Sequence, residues 1–189
     1  MRIGIFGGTF DPPHLGHLSA ATDACDALKL DRLLFIPTAQ QPLKVGSVIA
    51  PAADRLAMTK LLAAADTRMS VDPLEIDRGG LSFTVETLRT LRERWQGDSA
   101  LALFLLIGAD VATTLPKWRE PETVEALAEI VVLTRLGGSE TPPVGRPLAT
   151  RRVDVSSTGI RAMVRAGESI RGLVPDAVAD YIAAAGLYR

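Results

Sequence analysis

Short apolar runs alternate along this chain with longer segments of helical periodicity, and this alternation constrains the fold more than any other feature. Runs of four to eight apolar residues are typical of strands that are covered on both faces. The predicted strands are Arg2 to Phe6, Arg32 to Ile36, Leu101 to Ile107 and Ile130 to Leu133. The predicted helices are His17 to Leu28, Asp54 to Ala65, Phe83 to Trp95 and Pro121 to Ala128. Strands that alternate with helices predict a parallel α/β sheet.

The last third of the chain has a different pattern. Gly137 to Pro147 is rich in glycine and proline and predicts a surface loop, followed by a short strand near Arg151 to Val155. Two helices, Ser157 to Ala166 and Pro175 to Ala185, are predicted to close the chain. A length of 189 residues with 47% hydrophobic content favours one domain over residues 1–189, with a C-terminal helical subregion at about 156–189.

Charge and apolar run lengths exclude several classes of protein. The 21 basic and 22 acidic side chains nearly cancel, so we expect neither a nucleic acid partner nor a membrane partner. The most apolar run, Leu101 to Ile107, is far too short to span a bilayer. A lone cysteine, Cys25, cannot form an internal disulfide. We expect a soluble, cytoplasmic protein, and the sequence leaves a homo-oligomer open.

The segment from Gly7 to His17 follows the first predicted strand and enters the first predicted helix, where ligands bind in open parallel sheets. Gly7 and Gly8 let backbone N–H groups approach phosphate oxygens, and His14 and His17 can both donate hydrogen bonds to phosphate. Gly16 leaves room for an adenine ring. Alternatives are a tight turn, a helix cap, or a zinc site that carboxylates would have to complete, because the chain has two histidines.

Residues Gly8 to His17 resemble the signature of the nucleotidyltransferases, whose His-x-Gly-His element is shared with class I aminoacyl-tRNA synthetases. The resemblance implies a Rossmann-like open parallel sheet with helices on both faces, of the nucleotidyltransferase type, that transfers adenylyl groups. A chain of 189 residues has no room for tRNA-binding parts, which favours a small acceptor. The resemblance places ATP against these residues: Gly7, Gly8, Thr9, Phe10, Gly16 and His17.

The segment from Val155 to Arg161 places hydroxyl side chains where a helix begins and leaves backbone donors free. On its own this could be a plain helix cap followed by solvated arginines. The segment resembles the Ile-Ser-x-Thr-x-Ile-Arg motif of the nicotinate-nucleotide adenylyltransferases. The resemblance implies that Ser156, Ser157, Thr158 and Arg161 bind ATP. Ser156, Thr158 and Arg161 would hold the phosphates, and capping of the helix is the alternative role for Ser157. We expect this segment to meet the glycine-histidine loop around one triphosphate.

The middle of the chain contains weaker motifs for the acceptor. Ser82 to Leu88 resembles the Ser-Tyr-Thr-x-x-Thr-Leu element that recognises the nicotinate carboxylate in that family, with Phe83 in place of tyrosine and Thr84 at the start of the helix. The alternative is an ordinary capping segment. The spacing of Gly108, Asp110 and Trp118 also matches the family, which implies nucleotide positioning by Gly108 and Asp110 and ring stacking by Trp118.

Two basic residues complete the resemblance. Arg135 lies in a stretch similar to the family's Arg-Pro-Gly turn, which implies a phosphate contact, and a solvated loop arginine is the alternative. Pro37 to Lys44 resembles a Pro-Pro-His-Lys loop in which Leu43 replaces histidine. Lys44 matches the family lysine, although a lysine in a loop is usually solvated.

The resemblance therefore implies transfer of the adenylyl group of ATP to nicotinate mononucleotide, giving nicotinate adenine dinucleotide and pyrophosphate in NAD biosynthesis. It implies Mg²⁺ held mainly by the substrate phosphates. The implied catalytic residues are His14, His17, Lys44 and Arg161. The implied acceptor-binding residues are Lys44, Phe83, Thr84, Asp110, Trp118 and Arg135.

Three rival functions remain at this stage. A phosphopantetheine adenylyltransferase shares the first loop and a serine-rich C-terminal segment, but gives no reason for Trp118 or for Ser82 to Leu88. A non-catalytic nucleotide-binding module would use His14 and His17 as phosphate ligands only. A dinucleotide-dependent oxidoreductase is remote, because Gly4 to Gly8 lacks the Gly-x-Gly-x-x-Gly pattern.

Overall fold

The computed structural model describes residues 1–41, 48–135 and 142–189. Its centre is a six-stranded sheet in the order β3-β2-β1-β4-β5-β6, in which every neighbouring pair is parallel. The strands are β1 (Arg2–Gly8), β2 (Arg32–Pro37), β3 (Met69–Val71), β4 (Ala102–Gly108), β5 (Glu129–Arg135) and β6 (Arg146–Thr150). The predicted open parallel sheet is confirmed.

The helices connect these strands and close the chain. They are α1 (Leu15–Ala27), α2 (Ala52–Ala63), α3 (Leu74–Arg78), α4 (Thr84–Arg94), α5 (Ala109–Ala112), α6 (Pro121–Leu127), α7 (Ser157–Arg165) and α8 (Asp176–Ala185), with a 3-10 helix at Leu115–Lys117 between α5 and α6. Proline at the first position of α6 supplies the fixed φ angle that a first turn tolerates. Gly186 ends α8 in the left-handed conformation that glycine adopts without strain.

The sheet is covered on both faces because side chains alternate along each strand. In β1, Ile3 and Ile5 lie in one core cluster with Leu88 of α4, whereas Phe6 lies in the opposite cluster with Ala24 of α1. The same division holds in β2 and β4. Helix α4 therefore packs on one face of the sheet, and helix α1 packs on the other.

A third core cluster attaches the C-terminal helices to the rest of the chain. Met58 of α2 packs in this cluster with Ile160 of α7 and with Val178 and Ile182 of α8. The C-terminal helices thus lie against α2, next to the loop that follows β1.

The prediction of a strand near Arg151 to Val155 is wrong. The last strand, β6, lies at Arg146–Thr150, where Leu148 and Thr150 are buried against β5. Pro147 made this stretch look like a loop, but β6 is an edge strand, where proline is tolerated. Of the loop predicted at 137–147, residues 137–141 lie outside the described ranges. The short elements β3 and α3 were not predicted, because three and five residues contain too little periodicity to detect.

Within residues 1–41, 48–135 and 142–189, we find no helix with the length and apolar character that crossing a bilayer requires.

The core position of α4 can be tested by mutation. Leu88→Ala removes a fully buried side chain between α4 and the sheet and should lower the free energy of unfolding by about 3 kcal/mol. The control, Glu93→Ala, changes an exposed residue of the same helix and should alter it by less than about 0.5 kcal/mol. Urea denaturation followed by circular dichroism measures both, and equal effects would contradict the packing described here.

Candidate functional site

At the carboxyl ends of β1 and β4, the chain leaves the sheet towards opposite faces. Phe6 pairs with Leu106, and both strands end two residues later, at Gly8 and Gly108. The chain then continues into α1 on one face and into α5 on the other. This is the topological switch point of an open parallel sheet, where such folds form a ligand crevice.

Residues 9–14, here called the β1–α1 loop, fold around a buried aromatic ring. Phe10 has a left-handed φ of 50° and only 2% of its surface is exposed. A Cβ atom at Gly8 would lie 2.9 Å from this ring, so position 8 needs glycine. Among the predicted ATP-binding residues, Phe10 thus directs its side chain into the core, and only its backbone can face the crevice.

The two histidines stack on each other at the start of α1. Their ring centroids are 3.7 Å apart, and the backbone N–H of His14 donates to Nδ1 of His17 over 3.2 Å. Because Nδ1 accepts, this hydrogen bond assigns the proton of a neutral His17 to Nε2, which is then a donor. The Phe10 ring packs edge-on against the His17 ring, with 5.1 Å between the two centroids, and helps to fix the orientation of the imidazole.

Both histidines favour the neutral form. Burial lowers the pKa of His14 from 6.5 to about 4. Burial also lowers the pKa of His17 well below 6.5, and the neighbouring His14 lowers it further. At neutral pH these rings therefore offer N–H donors without positive charge, and charge at the crevice must come from other residues.

Residues 155–161, here called the α7 entry segment, contact the β1–α1 loop directly. Arg161 Nη1 donates to the Asp11 carbonyl oxygen over 2.7 Å, and the Ser157 hydroxyl donates to the Pro12 carbonyl oxygen over 2.8 Å. A Cβ atom at Gly16 would lie 3.1 Å from Val155. The predicted meeting of the two distant segments is confirmed.

The hydroxyl groups of this segment have different partners from those expected. Ser156 is the cap of α7, since its Oγ accepts from the Gly159 backbone N–H over 3.1 Å. The expectation that Ser157 caps the helix is wrong, because its hydroxyl is directed to the Pro12 carbonyl instead. The Thr158 hydroxyl accepts from Arg161 Nη2 over 3.3 Å. Ser156 and Thr158 are exposed beside the loop.

Residues that follow β2 connect the β1–α1 loop to the start of α4. The Thr9 hydroxyl donates to Gln41 Oε1 over 3.4 Å, and the Ala39 backbone N–H donates to the Ser82 hydroxyl over 3.0 Å. Phe83 then caps α4, and Thr84 is its first residue. The helix start that is predicted to bind the acceptor is therefore linked to the β1–α1 loop indirectly, through Ala39 and Gln41.

The residues after β4 form the other wall. The Asp110 carboxylate folds back over the end of β4, since a Cβ atom at Gly108 would lie 2.7 Å from its Oδ1. Trp118 is half-buried, and its indole N–H donates to the Thr114 hydroxyl over 3.0 Å. The Arg119 guanidinium lies 4.9 Å from the centroid of the Phe83 ring, so the two predicted acceptor segments are in contact.

Comparison with known proteins gives the family. The cytidylyltransferase-like family model matches residues 5–163. A Gemmatimonas aurantiaca protein named "Probable nicotinate-nucleotide adenylyltransferase" is 50% identical, and the match covers 100% of this chain and 93% of that protein. This chain belongs to the nicotinate-nucleotide adenylyltransferase family. A Thermus thermophilus protein with the same name is 46% identical, with 100% of both chains covered.

A solved structure supports the fold assignment of this adenylyltransferase-family chain. The Plasmodium falciparum nicotinic acid mononucleotide adenylyltransferase complexed with NaAD aligns with a TM-score of 0.80 at 16% identity. The alignment covers 99% of this chain and 97% of that one. The six-stranded sheet and its helices are therefore the fold of that enzyme.

Two predicted site residues of the family pattern cannot be placed. Lys44 lies outside the described residues. The backbone of Arg135 ends β5, where it pairs with Thr150, and the position of its side chain lies outside the description. Their roles stay predictions.

Sequence reasoning missed Arg55 of α2, which holds the backbone of the β1–α1 loop in this adenylyltransferase-family chain. Its guanidinium is buried and donates to the Thr9 carbonyl oxygen over 2.7 Å, and to the carbonyl oxygens of Ala50 and Ala39. A signal was present in the sequence, because Arg55 shares the helical spacing of the buried Met58 and Leu62. An arginine on the apolar face of a helix indicates that buried acceptors bind its guanidinium group.

The low pKa of His14 predicts a loss of stability in acid. The unfolded chain binds a proton below about pH 6.5 and the folded chain only near pH 4, so folding is penalised as the pH falls between these values. His14→Gln has no such group. Between pH 6.5 and 5, the free energy of unfolding should therefore fall less in this variant than in wild type, and the two falls should differ by on the order of 2 kcal/mol. Urea titrations at several pH values measure this, and equal slopes would show that His14 titrates normally.

Proposed function

We propose that this chain transfers the adenylyl group of ATP to nicotinate mononucleotide, giving nicotinate adenine dinucleotide and pyrophosphate, as a step of NAD biosynthesis. The observation that supports this most is the contact of the β1–α1 loop with the α7 entry segment at the switch point of the sheet. Family membership along the whole chain supports it independently.

In this proposal, ATP lies across the carboxyl ends of β1 and β4. Backbone N–H groups at Gly7, Gly8, Thr9 and Phe10 approach the phosphates, and Gly16 leaves space for the adenine, with Gly108 and Asp110 on the opposite wall. Ser156, Ser157, Thr158 and Arg161 line the other side of the triphosphate. Because His14 and His17 are neutral, they donate hydrogen bonds to phosphate oxygens, while Arg161 and Lys44 supply positive charge.

The reaction is attack of an acceptor phosphate oxygen on the α-phosphorus of ATP. The bond from that phosphorus to the bridging oxygen breaks, and pyrophosphate leaves in line. A phosphate nucleophile is already ionised near neutral pH, so the residues need to position it and to stabilise charge in the transition state rather than remove a proton. The Nε2–H group of His17 is suited to that stabilisation, because its orientation is fixed by the His14 backbone and the Phe10 ring.

The acceptor lies between the start of α4 and the segment after the 3-10 helix. The backbone N–H and hydroxyl of Thr84 bind the nicotinate carboxylate at the positive end of the helix. Trp118 stacks on the pyridine ring and Phe83 forms the adjoining wall, while Arg135, Lys44 and Asp110 orient the mononucleotide. Arg119 packs on the Phe83 ring and forms an ion pair with Glu86 over 2.8 Å, which holds this wall against the first turn of α4.

The metal enters with its substrate. Among residues 1–41, 48–135 and 142–189, no three His, Cys, Asp or Glu side chains cluster so that they could hold a metal ion. In this proposal Mg²⁺ is bound as MgATP, held by phosphate oxygens and water, as its preference for oxygen ligands and retained water favours. We place the reaction in the cytoplasm, since both substrates are soluble phosphates.

The choice of acceptor is the direct test. The purified chain is incubated with MgATP and, separately, with nicotinate mononucleotide, nicotinamide mononucleotide or phosphopantetheine, and pyrophosphate release is followed. We expect the highest kcat/KM with nicotinate mononucleotide. Activity with phosphopantetheine alone would identify the rival transferase, and ATP binding without pyrophosphate release would identify a binding module.

Removal of the His17 imidazole tests the transition-state role. His17→Ala should lower kcat by on the order of a hundredfold, because one preorganised donor to the developing charge is lost. Leu18→Ala is the control, since Leu18 is the next residue of α1 and packs against the same core. It should reduce stability without a comparable loss of kcat. Full turnover by folded His17→Ala would remove this histidine from the mechanism.

A further inference from the structure

The Asp11 carboxylate lies inside the β1–α1 loop and is fully used by protein donors. Only 3% of Asp11 is exposed. Its Oδ2 accepts from the Ile49 backbone N–H over 2.8 Å, and its Oδ1 accepts from the Ala50 backbone N–H over 3.1 Å. The Tyr188 hydroxyl donates to the same Oδ1 over 2.8 Å. Asp11 therefore anchors the loop instead of contacting a substrate.

Tyr188 reaches this carboxylate from the far end of the chain, 177 positions away. Its backbone has a left-handed φ of 65°, which is unfavourable for a residue with a side chain, and its ring is buried in the cluster that contains Met58 and Ile160. Burial and the hydrogen bond to Asp11 both raise the pKa of the hydroxyl, which keeps it protonated as a donor. The surroundings therefore hold this hydroxyl at one position.

Two arginines flank the same point. Arg161 donates to the backbone carbonyl of Asp11, and Arg55 donates to the carbonyl of Thr9. Both guanidinium groups lie close enough to Tyr188 to act electrostatically on its hydroxyl. Without the hydroxyl, Oδ1 of Asp11 would keep only the Ala50 N–H and could accept an N–H from Arg161 as well, since a carboxylate and a guanidinium form strong hydrogen bonds.

We infer that Tyr188 is a positioning residue for adenylyl transfer, an inference that rests on the proposed function. Its hydroxyl holds the Asp11 carboxylate in place, which keeps the β1–α1 loop with His14 in register and leaves the Arg161 guanidinium directed to the triphosphate. Tyr188 does not touch the substrates. A small displacement of groups that position a reacting phosphate lowers the rate strongly, which is why one distant hydrogen bond affects turnover.

The chain offers a control tyrosine in α8, the helix that precedes Tyr188. The Tyr181 hydroxyl donates to Asp54 Oδ1 over 2.8 Å and joins α8 to α2. Tyr181→Phe therefore removes the same kind of tyrosine–aspartate hydrogen bond without affecting the β1–α1 loop.

The test compares full-length Tyr188→Phe and Tyr181→Phe with wild type. All three are assayed at a temperature well below the thermal unfolding midpoint of each protein. We expect Tyr188→Phe to lower kcat/KM for ATP by on the order of tenfold, through both a higher KM and a lower kcat. We expect Tyr181→Phe to stay within about twofold of wild type. Equal kcat/KM in the two variants would overturn the inference.

A double-mutant cycle separates positioning through Asp11 from a general loss of packing. If Tyr188 acts through Asp11, then Asp11→Asn with Tyr188→Phe should be no slower than Asp11→Asn alone. Losses that multiply would show that Tyr188 acts by another route and would overturn the inference.

Binding of α,β-methylene-ATP, measured by calorimetry without the acceptor, distinguishes the two proposals. Weaker binding to Tyr188→Phe than to Tyr181→Phe supports the positioning role even if nicotinate mononucleotide proves to be the wrong acceptor. Unchanged binding, together with unchanged turnover, counts against Tyr188 and leaves the proposed reaction intact.

Discussion

The contact between the β1–α1 loop and the α7 entry segment is the interaction on which the site depends. The loop leaves the sheet at its carboxyl edge, where its backbone carbonyl groups have no neighbouring strand to supply donors. Arg161, Ser157 and Arg55 supply them, to Asp11, Pro12 and Thr9 respectively. Side chains from α2 and α7 thus supply the donors that a neighbouring strand would otherwise supply, and residues 10–14 of the loop are buried.

This arrangement also sets the charge of the crevice. The paired histidines are kept neutral by burial, so they direct hydrogen bonds without adding charge. Arg55 and Arg161 both lie close to the buried Asp11 carboxylate, so that two positive charges accompany one negative charge beneath the loop. Under the proposed function, these arginines attract the triphosphate and the histidine donors orient it.

Much of the fold was visible in the sequence, because β1, β2, β4 and β5 are long apolar runs and the helices between them are periodic. The edge strand β6 was predicted a few residues too late in the chain, because Pro147 indicated a loop. Proline is tolerated in a strand at the edge of a sheet. The two site motifs were also visible, because they resemble the family's patterns together, although each alone could be a turn or a helix cap. The partners of Asp11 and Arg55 were not, because a buried hydrogen bond between segments distant in sequence leaves no local pattern.

The division of the core between two faces of the sheet has a consequence for how such a chain can change over time. The helix with the histidines rests on one cluster, and α4 with Thr84 rests on the other, although both clusters alternate along the same strands. Under the proposed function, substitutions in the packing under α4 would change the acceptor pocket while the packing under the histidines stays unchanged. An architecture of this kind allows new acceptors to evolve around an unchanged donor.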